Sequence, residues 1–280
     1  MSSPTTYPRD LEAILARRHD NGADLWMTPD KNLIKGSPFT TLDCALLLLE
    51  VGVSPADPIL QAVADLIFSC QRDDGRFRVA PKGAIYPCHT IGALNVLCQL
   101  GFAADMRLEK TFRHLLDSRH DDGGWRCNSF KYGRGPETAS SNPGPTLTAL
   151  NAFRLTGYPD RKQELDQTVA FLLEHWRIRK PIGPCHYGIG TLFMQAEYPF
   201  MTYNLFYYVY VLSFYRLARQ DNRFLEALAI LKAKLTDGQL VVERVNRQLA
   251  RFDFCTKGQP SARARARYQE IERNLTGLQP

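Results

Sequence analysis

The sequence predicts an all-α fold built from about five helix pairs. Three observations predict it. Four apolar segments, at 41–52, 90–101, 146–157 and 202–213, each begin with threonine, and the first three end in glycine. Their threonines lie 49, 56 and 56 residues apart. Amphipathic stretches at 58–71, 105–119, 159–177 and 221–235 alternate with them, their apolar residues recurring at helical spacing, as in Leu60, Val63, Ala64, Ile67 and Phe68. Two of these stretches run into similar loops, Gln71-Arg-Asp-Asp-Gly-Arg-Phe77 and Arg119-His-Asp-Asp-Gly-Gly-Trp125, whose Asp-Asp-Gly tripeptides are 48 residues apart. Runs alternating with the period of a strand are short, so β structure is poorly supported.

Taken in order, the repeats fall at approximately 8–52, 53–101, 102–157, 158–217 and 218–276 of a single domain spanning 1–280. Each reads as an outer amphipathic helix, an Asp-Gly turn, a loop and an inner apolar helix. Asn21-Gly22 and Asp237-Gly238 read as degenerate copies of the turn, and the last repeat ends in a helix at 261–275. Inner helices are expected near 40–52, 89–101, 145–157 and 200–217. Their threonines suit the N-cap, because the hydroxyl accepts a first-turn N–H, and their glycines suit the C′ position, where φ is positive. The inner segments are apolar around most of their circumference, as helices buried on several sides must be. An open solenoid would expose one side of each pair, so a closed ring with the inner helices around a central cavity is favoured over a binding solenoid.

Composition sets the outer limits. The chain has 280 residues, 44% hydrophobic and 23% charged, which excludes a disordered, collagen-like or disulfide-stapled protein. A net charge of +6 with interleaved signs argues against a general nucleic-acid binder. No run of 18 apolar residues is present, so no transmembrane helix is expected, and the polar N-terminus lacks the apolar run of a signal peptide. Seven cysteines without paired spacing read as reduced thiols in a cytoplasmic protein, with metal binding preferred to disulfides.

The two Asp-Gly loops, each followed by an apolar helix beginning with threonine, resemble the repeats of squalene and hopene cyclases and of the β subunits of protein prenyltransferases. The resemblance covers residues 8–276 and implies an α/α toroid. It is specific for fold and weak for function. The cyclases protonate substrate with Asp-x-Asp-Asp. Here Arg72-Asp73-Asp74 and His120-Asp121-Asp122 lack the first aspartate, so the resemblance does not carry over that acid. The prenyltransferase subunits bind zinc through Asp-x-Cys and the histidine of Tyr-His-Thr. Tyr86-Pro-Cys-His89-Thr90 matches the second element, and Asp253-Phe254-Cys255 matches the first in spacing but in reversed chain order.

The cysteines point to a metal independently. Cys44, Cys70 and Cys98 lie in apolar helices and read as small core residues. Cys88, Cys127, Cys185 and Cys255 each precede or approach an inner helix in a different repeat, and a ring would bring those loops to one end. His89 and His186 follow Cys88 and Cys185 in two Pro-Cys-His triplets. Thiolate and imidazole are the ligands zinc prefers. Cys127, Cys185 and Cys255, with His89 or His186 as the fourth ligand and Cys88 in reserve, form the candidate zinc set.

The segment 184–200 replaces the Asp-Gly loop of its repeat and packs a thiol, an imidazole, phenols and a carboxylate ahead of an aromatic helix. Tyr187, Glu197 and Tyr198 are candidate acid–base groups, joined by Asp122. Glu197 equally suits an ion pair with a loop arginine. Trp125, Arg126, Arg134 and Tyr207 are candidate substrate contacts, and basic residues near them (Arg119, Lys131, Arg177, Arg179 and Lys180) suit a phosphate or carboxylate head group or plain solvation. The expected function is a zinc enzyme acting on an apolar or isoprenoid-like small molecule, as a prenyl or alkyl transferase, lyase or hydrolase. The alternatives are a non-enzymatic toroid with a structural zinc serving a partner protein, and a terpene cyclase with its acid elsewhere.

Overall fold

The computed structural model describes residues 7–156 and 164–277. Helices dominate the described residues, and the strands form one two-stranded ribbon, as the periodicity implies. The chain divides into two compact units. The first comprises residues 1–118, 155–157 and 251–254, and the second 119–154, 158–250 and 255–280. No helix among the described residues is long and apolar enough to cross a membrane.

The first unit holds α1 (Pro8–Ala16), α2 (Thr41–Glu50), α3 (Pro58–Phe68), α4 (Pro87–Leu97) and α5 (Met106–Asp117). The apolar helices α2 and α4 pack on each other, and each also packs on an amphipathic neighbour. The helix α4 buries residues all round, from His89 and Thr90 to Val96 and Leu97, whereas α5 buries one stripe, Leu108, Thr111, Phe112 and Leu115. That difference is the one between all-round apolar and single-stripe segments in the sequence. The segment at 251–254 joins this unit through Asp10, whose buried carboxylate accepts the backbone N–H groups of Asp253 and Phe254 at 2.9 Å each.

The second unit holds α6 (Pro143–Phe153), α7 (Asp166–Ile178), α8 (Leu205–Leu212), α9 (Arg216–Arg219), α10 (Asn222–Lys232) and α11 (Ala262–Thr276). The helix α8 is buried at every position and packs on α6, α10 and α11. The expected start of α7 at Pro159 and the glycine at 157 lie outside the described residues. The single helix expected over 200–217 is instead α8 and the short α9. The helix α8 starts late because Asn204 is its N-cap, accepting the Tyr207 N–H, and it ends where the buried Ser213 hydroxyl turns back to the Tyr210 carbonyl.

The threonines are not the caps the pattern suggested. The helices α4 and α6 begin at Pro87 and Pro143, whose fixed φ suits the first turn, so Thr90 and Thr146 lie inside the helix. Their hydroxyls do something more specific. Thr90 accepts the backbone N–H of Phe77 at 3.1 Å, and Thr146 accepts that of Trp125 at 3.1 Å. Each Asp-Gly loop is thereby stitched to the apolar helix that follows it. A second stitch ties the loop to the next amphipathic helix. Thr111 donates to the Gly75 carbonyl and Thr168 to the Gly123 carbonyl, both at 2.6 Å. At Gly75 (φ +84°) and Gly123 (φ +91°) the neighbouring helix backbone comes so close that no side chain fits. In α2 the cap is Thr40, which accepts the Asp43 N–H, while Thr41 donates to the Leu25 carbonyl. Asp237-Gly238 is not a copy of the loop. Both residues have positive φ and form the two-residue turn of the ribbon β1 (Leu235–Thr236) and β2 (Gln239–Leu240).

Candidate functional site

The candidate residues sort by what they touch. Asp122 is held by its own loop: its carboxylate accepts the Ser141 N–H at 2.7 Å, the Ser141 hydroxyl at 2.6 Å and the Gly124 N–H at 3.1 Å. It braces the turn that presents Trp125. Trp125 is buried, stacked on Phe153 with centroids 6.3 Å apart. Arg126 is half-buried, and Arg134 lies on the exposed part of the following loop.

That loop docks on the segment 182–187. The Tyr132 N–H donates to the Pro184 carbonyl at 2.7 Å, and the Gly183 N–H to the Glu137 carbonyl at 2.9 Å. Cys185 is half-buried and bracketed by Asn142, which accepts its N–H at 3.0 Å and presents its amide 3.5 Å from Sγ. His186 is exposed at φ +60°, with Nε2 4.0 Å from Glu137. The Tyr187 ring lies on Gly144 in the first turn of α6, so close that a Cβ there would sit 2.5 Å from it. The sequence placed Cys185, His186 and Tyr187 in the loop ahead of the aromatic helix α8; the fold lays Cys185 and Tyr187 against the start of α6, the apolar helix of the preceding repeat.

The other thiols have separate surroundings. Cys127 is buried and takes the Phe130 N–H at 3.4 Å, and Cys255 is buried with its thiol toward the Leu249 carbonyl at 3.7 Å. Cys88 is exposed in the first turn of α4. The neighbouring His89 is buried. Its Nε2 lies 2.8 Å from the Arg78 carbonyl, which can only accept, so Nε2 carries the proton. Nδ1 is buried with no hydrogen-bond partner and is the ring atom left for a ligand. Among the described residues no three His, Cys, Asp or Glu side chains gather where a metal ion could be held. As positioned, the donors do not form a zinc tetrahedron. Burial pushes the Cys44, Cys70 and Cys98 thiols upward, Cys98 to about 12, as befits inert core residues.

Glu197 has the ion pair that sequence reading weighed against catalysis. It is buried, 3.2 Å from the Arg244 guanidinium, and accepts the Thr202 hydroxyl at 2.6 Å. Burial raises its carboxyl above the usual range, against those two partners. Tyr198 is fully buried. Tyr207 is buried too, and its hydroxyl bonds to Thr148 and Asn151 on α6. Phe200 sits 4.9 Å from both Phe206 and Tyr207, so the aromatic run is core. Among the basic residues, Arg177 pairs with Glu174, and Arg179 with Glu226 at 2.8 Å.

Two features escaped sequence reading. The first is Arg154, which donates to Asn151 at 2.7 Å and to Tyr210 at 3.0 Å, Tyr210 in turn donating to Glu270 at 2.7 Å. This polar chain links α6, α8 and α11 across sequence distances that carry no pattern. The second is Asp43 in the first turn of α2. Burial raises its carboxyl to about 6, with the Thr40 hydroxyl at 2.8 Å as the opposing influence. A carboxylate among the first residues of the apolar segment at 41–52 was the available signal.

The buried histidines make stability depend on pH. His175 stacks beside Tyr203, whose hydroxyl lies 2.9 Å from Nδ1, while Nε2 faces the Lys180 carbonyl at 3.2 Å. Burial holds His89 and His175 down to about 4, from an ordinary 6.5. The unfolded chain therefore binds protons first, and stability falls as pH drops from about 6.5 to about 4, by roughly 2–3 kcal/mol per histidine. Asp43 opposes this, because its raised carboxyl favours the folded state as pH falls from about 6 toward 3.8. Urea titrations at pH 7, 5.5 and 4.5 should show a net loss, with a shallower slope for His175→Gln. An unchanged slope in that variant would refute the neutral-histidine account.

No family model matches the chain. Over 173 residues it is 26% identical to a squalene–hopene cyclase of Zymomonas mobilis subsp. mobilis (strain ATCC 31821 / ZM4 / CP4). The match covers 53% of this chain and 25% of the relative, so the chain spans about a quarter of the length of the curated relative it matches. At that distance the chain is similar to a terpenoid cyclase.

Proposed function

We propose that the chain is an isoprenoid-handling enzyme whose inner helices form an α/α ring around an apolar small-molecule site. The observation that carries the reading is the doubly stitched Asp-Gly loop, which recurs at Gly75 and Gly123 with a corresponding pair of threonines each time, Thr90 and Thr111, then Thr146 and Thr168. It gives the repeat a physical basis, and the distant similarity to squalene–hopene cyclase gives it a chemical direction. Polar groups available to such a site stand at the first turns of apolar helices: Cys185 and Tyr187 pack on the start of α6, and Asp43 lies in α2. Incubating the purified protein with squalene and with farnesyl diphosphate, followed by extraction and mass spectrometry, tests the reading. Conversion of either supports it, and recovery of both unchanged counts against an isoprenoid enzyme.

A binding protein without catalysis is the second reading. Asp122 and Glu197 are both committed to structural partners, which favours it. In that case tritiated squalene would be retained but not converted. Zinc is a separate proposal, resting on Cys127, Cys185 and Cys255 with a histidine. Metal analysis of protein purified without added metal decides it: about one zinc per chain, lowered by Cys127→Ser and Cys185→Ser, supports it. Absence of metal removes zinc and leaves the isoprenoid reading standing.

A further inference from the structure

The loop after Trp125 carries aromatic rings and positive charge that the function proposed above does not use. Phe130 and Tyr132 are 47% and 70% exposed. Their rings are parallel within 6°, with centroids 6.4 Å apart. Rings in full face-to-face contact would stand about 3.5–4.0 Å apart, so at this spacing the flat faces do not cover each other. From Arg126 to Gly135 the chain has three cations, Arg126, Lys131 and Arg134, and no acid. None of the three has an ion pair among the described residues. The acids on either side are spent on the loop's own structure. Asp122 holds Ser141 and the Gly124 N–H, and Glu137 accepts the backbone N–H groups of Arg134 at 3.2 Å and Gly135 at 3.0 Å.

The backbone under these side chains is tied at alternate residues. The Phe130 N–H donates to the Cys127 thiol sulfur at 3.4 Å, the Tyr132 N–H to the Pro184 carbonyl at 2.7 Å, and the Arg134 N–H to Glu137. Between the last two, Gly133 is buried, and a Cβ there would lie 2.7 Å from both Glu137 Oε1 and Thr138 Cγ2. The loop is thus ordered by its own bonds while Phe130, Lys131, Tyr132 and Arg134 stand in solvent. Ordering entropy that a ligand would otherwise have to offset is already met in the fold.

The charge selects the ligand. A flat aromatic ring stacks on exposed aromatic faces, and lysine and arginine bind anions. Three unanswered cations exceed what one carboxylate neutralises, whereas a phosphate monoester carries about 1.5–2 negative charges at neutral pH. A nucleic-acid polymer would need a longer basic track and more stacking steps than one loop supplies. We propose that this loop binds a free nucleoside monophosphate, its base stacked on Phe130 and Tyr132 and its phosphate held by the cations beside them. Such a site is independent of any isoprenoid activity.

Calorimetric titration at pH 7.5 and low salt compares adenosine 5′-monophosphate with its two halves, adenosine and ribose 5-phosphate. The nucleotide is expected to bind about tenfold more tightly than either half, the size of one stacked base or one charge-assisted contact. Tyr132→Phe should keep that affinity, because the ring remains, and Tyr132→Leu should lower it about tenfold. Lys131→Gln combined with Arg134→Gln should bring the nucleotide down to the level of adenosine and leave adenosine unchanged. All these side chains face solvent, so the urea midpoints of the variants should match the wild type, which separates lost binding from lost folding. No saturable binding of the nucleotide, adenosine or ribose 5-phosphate binding as tightly as the nucleotide, or full affinity in a folded Tyr132→Leu protein overturns the proposal.

Discussion

Gly75→Ala is expected to destabilise the first unit by about 3 kcal/mol or more, the sum of a left-handed backbone and a backbone collision. A Cβ at this position would lie 2.5 Å from the Lys110 carbonyl carbon and 2.6 Å from its oxygen, and neither can swing aside because both belong to α5. Moving the loop away would also break the 2.6 Å bond from Thr111 and the Phe77 N–H bond to Thr90. Gly123→Ala should behave alike in the second unit, where the Gln167 carbonyl oxygen is 2.7 Å from the added atom. Gly238→Ala is the control. It shares the positive φ but meets nothing within 4 Å, so it should cost only about 1 kcal/mol. Chemical denaturation of the three variants checks this, and equal losses at Gly75 and Gly238 would show that the close approach contributes nothing.

Arg244→Met is expected to cost about 2–4 kcal/mol at neutral pH, because it leaves the Glu197 carboxylate buried without its cation. The guanidinium is 31% exposed and the carboxylate 3%, so the penalty falls mainly on Glu197 and lies below that of a fully buried pair. The sign with pH follows. Burial already raises the Glu197 carboxyl above 4.5, and losing Arg244 raises it further. The penalty is full above the variant's folded-state value and fades as pH falls through it, because the carboxyl is then protonated in both folded proteins. Glu197→Gln combined with Arg244→Met should recover most of the loss, since the double variant has no orphaned charge. A double variant as unstable as Arg244→Met alone would mean that Arg244 acts by packing and not by charge. Glu197→Gln by itself bears on mechanism: its Arg244 and Thr202 partners give the side chain a structural role, so a large loss of activity with unchanged stability would restore it as an acid–base candidate.

The sequence by itself determined the local architecture. Apolar segments buried on several sides became α2, α4, α6 and α8, and single-stripe segments became α3, α5 and α10, because burial follows periodicity when the stripe width sets how many neighbours a helix needs. It also marked the Asp-Gly loops, since positive φ and close approach admit only glycine at Gly75 and Gly123. It placed Cys185, His186 and Tyr187 ahead of α8, and only the fold lays Cys185 and Tyr187 against the first turn of α6. The tertiary structure alone decided the partners. Thr90 and Thr146 looked like caps, but prolines three residues earlier start the helices and free the hydroxyls to hold the loops. Glu197 could have been an acid or half of an ion pair, and only the fold brings Arg244, 47 residues away in the chain, to 3.2 Å. The cysteines were alike in placement, one per repeat, yet Cys127, Cys185 and Cys255 hydrogen-bond to different groups, because a thiol's partner is set by which loops meet. Asp43 carried no reading in the sequence, and its raised carboxyl arises from its burial in the folded chain, which no local pattern encodes.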